Sequence, residues 1–245
     1  MSVLRLLTLL SAPGPEQMAL DEALLENSTI PTIRIYTWNP PAVSLGYFQD
    51  FAAIAPRLPP RMEVVRRITG GGAIWHEHEV TYSLVGVLGN GGLPARTKDL
   101  YPLLHGAIQA ALGRRGAPLH AQLETVGDRR YADEPRCFAS PAADDLVHAD
   151  GGKVLGSAAR ARGSRVLVHG SLKLATNPWD GPVVAACGLT AEAAAEALLE
   201  GIAQALGETL EPGHLTADEQ QHRDHLLKLR YGSDDWVVRR EGPRA

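Results

Sequence analysis

Apolar and polar positions alternate along the chain with two different periods, and each period predicts its own kind of element. Helical spacing of apolar residues predicts helices over about 15–27 and 100–112, while an Ala-rich run and a capping box predict two more, over 190–207 and 216–231. Runs rich in Val, Ile, Thr and aromatic residues, bounded by Gly, Pro and Asn clusters, predict strands. The strands are expected at 3–10, 32–38, 42–48, 62–67, 73–76, 80–88, 145–149, 153–158 and 165–174.

The order of these elements predicts the fold class. Strands occur in runs joined by turns, and long helices lie between and after them, which favours an α+β fold with a mixed sheet packed with helices over a regular βαβ winding. No internal repeat and no linker-like segment interrupts the sequence. We therefore expect a single domain over residues 1–245, with a helical C-terminal part over 188–245.

Composition and charge exclude several classes of protein. The 245 residues are 44% hydrophobic and 21% charged, within the range of globular proteins, and no apolar run approaches the roughly 18 residues of a membrane-spanning helix. The net charge of −4 argues against nucleic-acid binding. Two cysteines, Cys137 and Cys187, are too few for a disulfide framework. Free thiols are typical of a reducing environment, so we expect a cytoplasmic protein. Because Arg5 interrupts the short N-terminal apolar run, we interpret that run as a strand and not as a secretory signal.

A glycine run follows one predicted strand, in the segment Arg66-Arg67-Ile68-Thr69-Gly70-Gly71-Gly72-Ala73. Glycine lets the backbone approach a ligand and present its amide groups to it. The segment lacks the Gly-Lys-Ser/Thr of a P-loop and the spacing of a dinucleotide-binding fold. Taken alone, the run fits either a flexible turn or a ligand contact.

Histidines occur in two strand-like segments. In His76-Glu77-His78-Glu79 the two histidines share a strand face, a spacing that could chelate a metal, but no third ligand is evident. We therefore predict polar pocket or edge residues here and no metal site. His169, which begins the segment His169-Gly170-Ser171 inside the otherwise apolar strand 165–174, fits a pocket residue and a hydrogen-bonded core histidine equally well.

A cysteine and a lysine are the remaining candidates for chemistry. Cys137 is either a buried small side chain or a nucleophile. Lys153 is one of only four lysines among 24 basic residues, and it precedes Gly156-Ser157-Ala158, whose small side chains leave room for a ligand. If the two side chains meet, the ammonium group would stabilise the cysteine thiolate.

Several segments, taken in order, resemble the biotin/lipoate protein ligase and octanoyltransferase superfamily. Cys137-Phe-Ala-Ser-Pro141 is similar to the cysteine motif of its octanoyltransferases, whereas Gly70-Gly71-Gly72 is nearer the pattern of its lipoate ligases. The other matching segments are 18–25, 34–41, 44–49, 66–73, 80–83, 152–158, 169–172 and 231–236.

The resemblance implies a single transferase-type catalytic domain of the biotin/lipoate protein ligase fold, related to class II synthetases, with Cys137 as nucleophile and Lys153 as its catalytic partner. It also implies a substrate-binding set. That set is Arg66, Arg67, Gly70, Gly71, Gly72, Ala73, His76, Gly156, Ser157, Ala158, His169 and Gly170.

The activity implied by the resemblance is octanoyl (or lipoyl) transfer, without a cofactor, from acyl carrier protein through a Cys137 thioester to a lysine. The implied acceptors are lipoyl domains of 2-oxoacid dehydrogenases and the glycine cleavage H protein, and the enzyme is expected to be a monomer. The main alternative is a lipoate-protein ligase, either whole or as the catalytic half of a split enzyme, which would use ATP and Mg²⁺ to make lipoyl-adenylate. A third alternative is a non-catalytic subunit that binds acyl groups or lipoyl domains. ATP dependence separates the first two.

Overall fold

A computed structural model of the protein describes residues 3–126, 130–180 and 184–241. The helices are α1 (Gly14–Asn27), α2 (Phe51–Ile54), α3 (Leu100–Arg114), α4 (Ala191–Leu206), α5 (Ala217–Leu226) and α6 (Asp234–Arg239). The strands are β1 (Val3–Ala12), β2 (Thr32–Trp38), β3 (Ala42–Leu45), β4 (Glu63–Arg66), β5 (Ile74–His76), β6 (Glu79–Val87), β7 (His120–Ala121), β8 (Leu146–Val147), β9 (Lys153–Arg162), β10 (Arg165–Lys173) and β11 (Thr209–Gly213). Among these residues, no helix combines the length and apolar character needed to cross a membrane.

The main sheet has eight strands in the order β11-β1-β2-β6-β10-β9-β8-β7. Strand β1 runs parallel to both β2 and β11, and every other pairing in this sheet is antiparallel. The predicted α+β class with a mixed sheet is therefore confirmed. Strands β9 and β10 are joined by the tight turn Gly163-Ser164, in which Gly163 takes a left-handed φ of 59°.

A second, three-stranded sheet, β4-β3-β5, holds the glycine run. Strand β3 is parallel to β4 and antiparallel to β5, so the segment between β4 and β5 must turn back beside the end of β3. Gly46, directly after β3, lies so close to the glycine run that a Cβ there would clash with the carbonyl oxygen of Gly71. Thr69, directly before the run, has its Oγ1 2.7 Å from Nε2 of His169 on β10, so residues 70–72 lie next to the main sheet.

Helices cover both faces of the main sheet. Helices α3 and α4 pack on one face, where Ile33, Ile35 and Leu84 join their apolar side chains in the larger core cluster. Helix α1 lies on the other face with Tyr36 and Trp38. Because strand side chains alternate between faces, β2 supplies both clusters. Each fully buried large side chain contributes roughly 1.5–3 kcal/mol to folding.

The C-terminal part departs from the prediction in one respect. The sequence predicts a helical part over 188–245, and α4, α5 and α6 lie there. Strand β11 also lies in this part and pairs with β1, which the sequence analysis does not predict. Helix α4 starts at the N-cap Thr190, and α5 starts at the complete capping box of Thr216 and Glu219. Both helix starts are as predicted. Residues 242–245 lie outside the described part of the chain.

Candidate active site

A cavity lies between α1, the glycine run and strands β9 and β10. It holds roughly 530 Å³ of empty space, counting the part open to solvent. Met18, Tyr36, Trp38 and Ile74 give it apolar walls. The predicted site residues in its lining are Arg67, Gly71, His76, Cys137, Lys153, Gly156, Ser157, Ala158, His169 and Gly170.

Cys137 is held at the cavity by its backbone. Its N–H donates to the carbonyl of Ala73 at 2.8 Å, and the N–H of Ala73 donates to the carbonyl of Pro135 at 2.7 Å. This short parallel bridge fastens the cysteine segment to the residue just before β5. Cys137 is 8% exposed and packs with Ile74 and Phe138. The thiol thus lies in an apolar wall of the cavity and is fixed by main-chain hydrogen bonds.

Lys153 approaches the thiol from the start of β9. Its Nζ lies 3.4 Å from both Sγ and the carbonyl oxygen of Cys137, and 2.7 Å from Oδ2 of Asp145. Gly156 makes room for it, because a Cβ there would lie within 2.6 Å of Nζ. Lys153 is only 2% exposed. Burial lowers its pKa, but the charges of Asp145 and Cys137 outweigh burial and raise the pKa above its ordinary value.

Asp145 was not predicted from the sequence. It is 5% exposed, and its Oδ2 also accepts a hydrogen bond of 2.6 Å from the N–H of Ala142. A fully buried ammonium requires a nearby carboxylate, because an unpaired buried charge is strongly destabilising. The sequence did not predict that Lys153 is buried, so this requirement gave no signal for Asp145.

The glycine run is held in place by a buried arginine. The Arg67 guanidinium donates to the carbonyls of Gly70 at 2.8 Å and Gly72 at 2.7 Å. Gly71, between them, has φ of 93° and lines the cavity. A Cβ on Gly72 would lie 2.5 Å from the ring of Tyr131. These contacts argue against the flexible turn, and the position of Gly71 in the cavity lining is consistent with the alternative of a ligand contact.

Some residues of the predicted substrate-binding set lie outside the cavity lining. Arg66 donates to the carbonyls of Gly46, Gln49 and Val237, and so joins the segment after β3 to helix α6. Its donors face these carbonyls and not the cavity. Gly70, Gly72 and Ala73 lie directly behind the lining and support it through the contacts described above.

His76 forms the middle of a buried chain of polar groups. Its Nε2 lies 2.7 Å from Oγ of Ser44, its Nδ1 lies 2.7 Å from Oε1 of Glu79, and its ring stacks on Trp38. Burial lowers the pKa of His76. For Glu79, burial raises the pKa, but His76 and Lys173 outweigh burial and lower it to about 2. At neutral pH a neutral His76 therefore donates to an ionised Glu79 and accepts from the Ser44 hydroxyl.

His169 is also hydrogen-bonded on both ring nitrogens. Nε2 lies 2.7 Å from Oγ1 of Thr69, and Nδ1 lies 3.0 Å from Oδ2 of Asp21. His169 is thus both a cavity residue and a hydrogen-bonded core histidine. Ser157 points to a third histidine that was not predicted, with Oγ 2.7 Å from Nε2 of His105. The described residues contain no group of His, Cys, Asp and Glu arranged to hold a metal ion.

The part of the sequence that forms this fold and cavity matches a known family of catalytic domains. Residues 13–199 match the family model of the lipoyl protein ligase A/B catalytic domain. The chain belongs to that family.

Two relatives and one solved structure show more specifically what this chain is similar to. The chain is 33% identical to Octanoyltransferase LipM of Kyrpidia tusciae, with 91% of this chain and 94% of the relative covered. It is 35% identical to Octanoyltransferase LipM of Symbiobacterium thermophilum, with 96% and 98% covered. Among solved structures, a bi-partite lipoate protein ligase of Thermoplasma acidophilum, studied with its E2 lipoyl domain, superposes with a TM-score of 0.75 at 20% identity, covering 97% of each chain. At that identity the superposition shows the shared fold.

Proposed function

We propose that this protein is an octanoyltransferase that carries the acyl group on Cys137. The observation that carries the proposal is the 3.4 Å contact between Cys137 Sγ and Lys153 Nζ inside the cavity. A cation beside a thiol stabilises the thiolate, which is the nucleophilic form. The curated relatives, both octanoyltransferases matched over nearly their whole length, support the same activity.

The first half of the reaction forms an enzyme thioester. The Cys137 thiolate attacks the carbonyl carbon of the donor thioester, and a new C–S bond forms to Cys137. The C–S bond of the donor then breaks, and the donor thiolate leaves and takes a proton from solvent. One thioester replaces another, so this step is nearly balanced in free energy. We propose octanoyl-acyl carrier protein as the donor.

The second half transfers the acyl group to an amine. The unprotonated ε-amine of an acceptor lysine attacks the Cys137 thioester, the C–S bond breaks, and the amine proton passes to the departing thiolate. Conversion of a thioester to an amide is downhill, so the proposed transfer needs no ATP. We propose lipoyl domains of 2-oxoacid dehydrogenases and the glycine cleavage H protein as acceptors. The lipoyl domain studied with the Thermoplasma ligase supports this class of partner. A monomeric, cytoplasmic enzyme is part of the proposal.

Each half passes through a tetrahedral intermediate whose oxyanion needs a donor. The N–H of Cys137 already donates to the Ala73 carbonyl, so it does not serve this purpose in the observed arrangement. The Lys153 ammonium lies within reach of the same carbon that bonds to Sγ. We therefore assign Lys153 two electrostatic roles, stabilising the thiolate first and the oxyanion afterwards.

The acyl chain would lie along the apolar walls formed by Met18, Tyr36 and Trp38. Each methylene group buried there contributes about 0.8 kcal/mol to binding. Gly71, His76, Ala158, His169 and Gly170 complete the proposed binding surface.

Intact-protein mass spectrometry after incubation with octanoyl-acyl carrier protein, without ATP, tests the proposal. Wild type should gain one octanoyl-sized adduct that hydroxylamine removes, and Cys137→Ala should gain none. If wild type gains no adduct, but octanoate or lipoate with ATP and Mg²⁺ modifies a lipoyl domain, the ligase alternative replaces the proposal. Binding of a lipoyl domain without either reaction would indicate a non-catalytic subunit.

A further inference from the structure

Arg160, on β9, differs from the other arginines that are buried or half-buried in the described residues. Each of the others donates to a carboxylate or a carbonyl, as Arg67 does to Gly70 and Gly72 and Arg136 does to Glu134. Arg160 is half-buried, its Nε is shielded from solvent without a hydrogen-bond partner, and its guanidinium carbon lies 5.4 Å from the centre of the Tyr47 ring. Shielding one N–H of a cation from water without an acceptor costs free energy, and an anionic ligand that accepts from it would remove that cost.

The position of Arg160 is at the rim of the candidate active site. Arg160 follows Ala158 by two residues on β9, so both side chains project from the same face of the strand, and Ala158 lines the cavity. Tyr47, against which Arg160 lies, donates its N–H to the carbonyl of Thr69 at 2.8 Å, immediately before the glycine run. The unpartnered guanidinium therefore lies on the side of the cavity where the glycine run forms the wall.

The surrounding charges favour an anion there. Burial lowers the pKa of Arg66, and the positive charges of Arg240 and Arg67 lower it further, which places several guanidinium groups close together. Arg66 and Arg67 use their donors on backbone carbonyls. Arg66 also donates to the carbonyl of Tyr47 at 3.2 Å, so its positive charge lies close to the residue whose ring Arg160 covers, while Arg160 has donors left for a ligand.

The spacing of Gly156 and Arg160 along β9 suits one part of the proposed donor. Gly156 lies beneath the Lys153 ammonium that contacts Cys137. The backbone of Arg160 lies four residues farther along β9 than that of Gly156, which at about 3.3 Å per residue is about 13 Å. In a phosphopantetheine arm about thirteen bonds separate the thioester sulfur from phosphorus, equal to about four residues of extended chain, or about 14 Å.

We propose that Arg160 binds the phosphate of the phosphopantetheine arm while the thioester carbonyl lies against Cys137. This inference rests on the proposed octanoyltransferase function. Phosphate is the chemistry recognised, and a nucleotide phosphate is the other possible source. A guanidinium suits either, because it pairs with phosphate oxygens through parallel N–H donors.

Two small donors that differ only in the phosphate test the inference. We would measure kcat/KM for octanoyl-phosphopantetheine and for octanoyl-pantetheine, with a lipoyl domain as acceptor. Wild type should prefer the phosphorylated donor by about tenfold, mainly through KM, because the phosphate contributes binding far from the reacting carbonyl. In Arg160→Gln that preference should fall to near one, and Arg160→Lys should recover part of it. Arg96→Gln, which removes an exposed arginine before α3, is the matched control and should keep the tenfold preference.

The outcomes separate this inference from the proposed function. If wild type uses neither donor, the octanoyltransferase proposal fails. If wild type uses both donors equally well, or Arg160→Gln keeps the preference, the phosphate site is wrong and the transferase proposal stands. If Arg160→Gln keeps the preference but slows modification of a lipoyl domain by octanoate with ATP and Mg²⁺, Arg160 recognises the nucleotide and the phosphopantetheine assignment is overturned.

Discussion

Two linked groups of polar side chains face the same cavity, and they differ in how completely their hydrogen bonds are satisfied. In one, Cys137 meets Lys153, which pairs with Asp145. In the other, Ser44 meets His76, which bonds to Glu79. Each places a possible nucleophile beside a nitrogen group and a carboxylate. By geometry alone, the second group is the nearer match to a serine hydrolase triad.

The difference lies in what each nucleophile still has available. The Ser44 oxygen donates to His76 and accepts from the Arg67 guanidinium at 3.1 Å, and the His76 ring is stacked on Trp38. Among the residues that the structure describes, the Cys137 sulfur has a single polar side-chain contact, with the Lys153 ammonium, whose pKa is raised. A saturated hydroxyl stabilises the cavity wall, whereas a thiol beside an ammonium is prepared for attack. Linked geometry by itself therefore does not identify the nucleophile.

Replacing each candidate nucleophile in turn tests which of the two groups reacts, and it has the largest expected effect. Cys137→Ala should lower kcat/KM for octanoyl transfer at least about 10³-fold, since no other group would carry the acyl chain. Ser44→Ala should cost less than about tenfold, through a disturbed wall. Steady-state transfer to a lipoyl domain measures both. The opposite ranking would make Ser44 the acyl carrier and reject the Cys137 mechanism.

Removing the charge of Lys153 tests whether that charge makes the Cys137 thiol reactive. Lys153→Gln should lower kcat/KM about 10²-fold, because both the thiolate and the oxyanion lose their cation. The rate of Cys137 alkylation by iodoacetamide should also shift to higher pH. The exposed Lys98→Gln serves as the charge control. An unchanged alkylation profile in Lys153→Gln would leave Lys153 without a role in activating the thiol.

Asp145→Asn should make the activity of the same site more sensitive to alkaline pH. Asp145 raises the pKa of Lys153 against the lowering effect of burial, so its loss lets the folded-state pKa of Lys153 fall. The alkaline limb of the pH–rate profile should move to lower pH, with about a tenfold loss of kcat/KM near pH 9. Asp144→Asn is the matched control. Asp144 has a left-handed φ of 70°, which Asn adopts readily. If both variants show the wild-type profile, Asp145 does not hold the ammonium.

Glu79→Gln should affect stability more than catalysis. His76 and Lys173 lower the folded-state pKa of Glu79 to about 2, so the ionised carboxylate stabilises the fold above about pH 4.5, and that contribution is lost as pH falls toward 2. We expect a loss of about 2 kcal/mol at pH 7 that shrinks at pH 4, measured by urea unfolding. The partly exposed Glu77→Gln should cost little. A constant loss at both pH values would contradict the assigned charge.

Local signals predicted much of the fold, and long-range pairings explain what they missed. Helices α4 and α5 begin at the N-cap residues Thr190 and Thr216, and the capping residues lie within one helical turn of each other in the sequence. Strand β11 contains Pro212 and Gly213, which disfavour strands, and it is ordered by parallel pairing with β1 some 200 residues away in sequence. Such pairing leaves no local pattern.

The candidate site divides in the same way. Cys137, Lys153 and the glycine run stand out in sequence, but Ser44 and Asp145 reach the cavity only through tertiary contacts. Arg66 is instructive because a signal was available. Adjacent residues at the end of a strand point to opposite faces, so Arg66 and Arg67 could not both face one cavity.

The second cysteine supplies the smallest expected effect and a test of what distinguishes a reactive thiol. Burial raises the pKa of Cys187, and no cation is within salt-bridge distance among the described residues, so this thiol stays protonated at neutral pH. Cys187→Ala should change kcat/KM less than twofold and leave the octanoyl adduct intact by mass spectrometry. An adduct that persists in Cys137→Ala but vanishes in the double variant would show that acyl transfer uses a thiol without a neighbouring lysine. The contrast between satisfied and available groups would then not explain which side chain reacts.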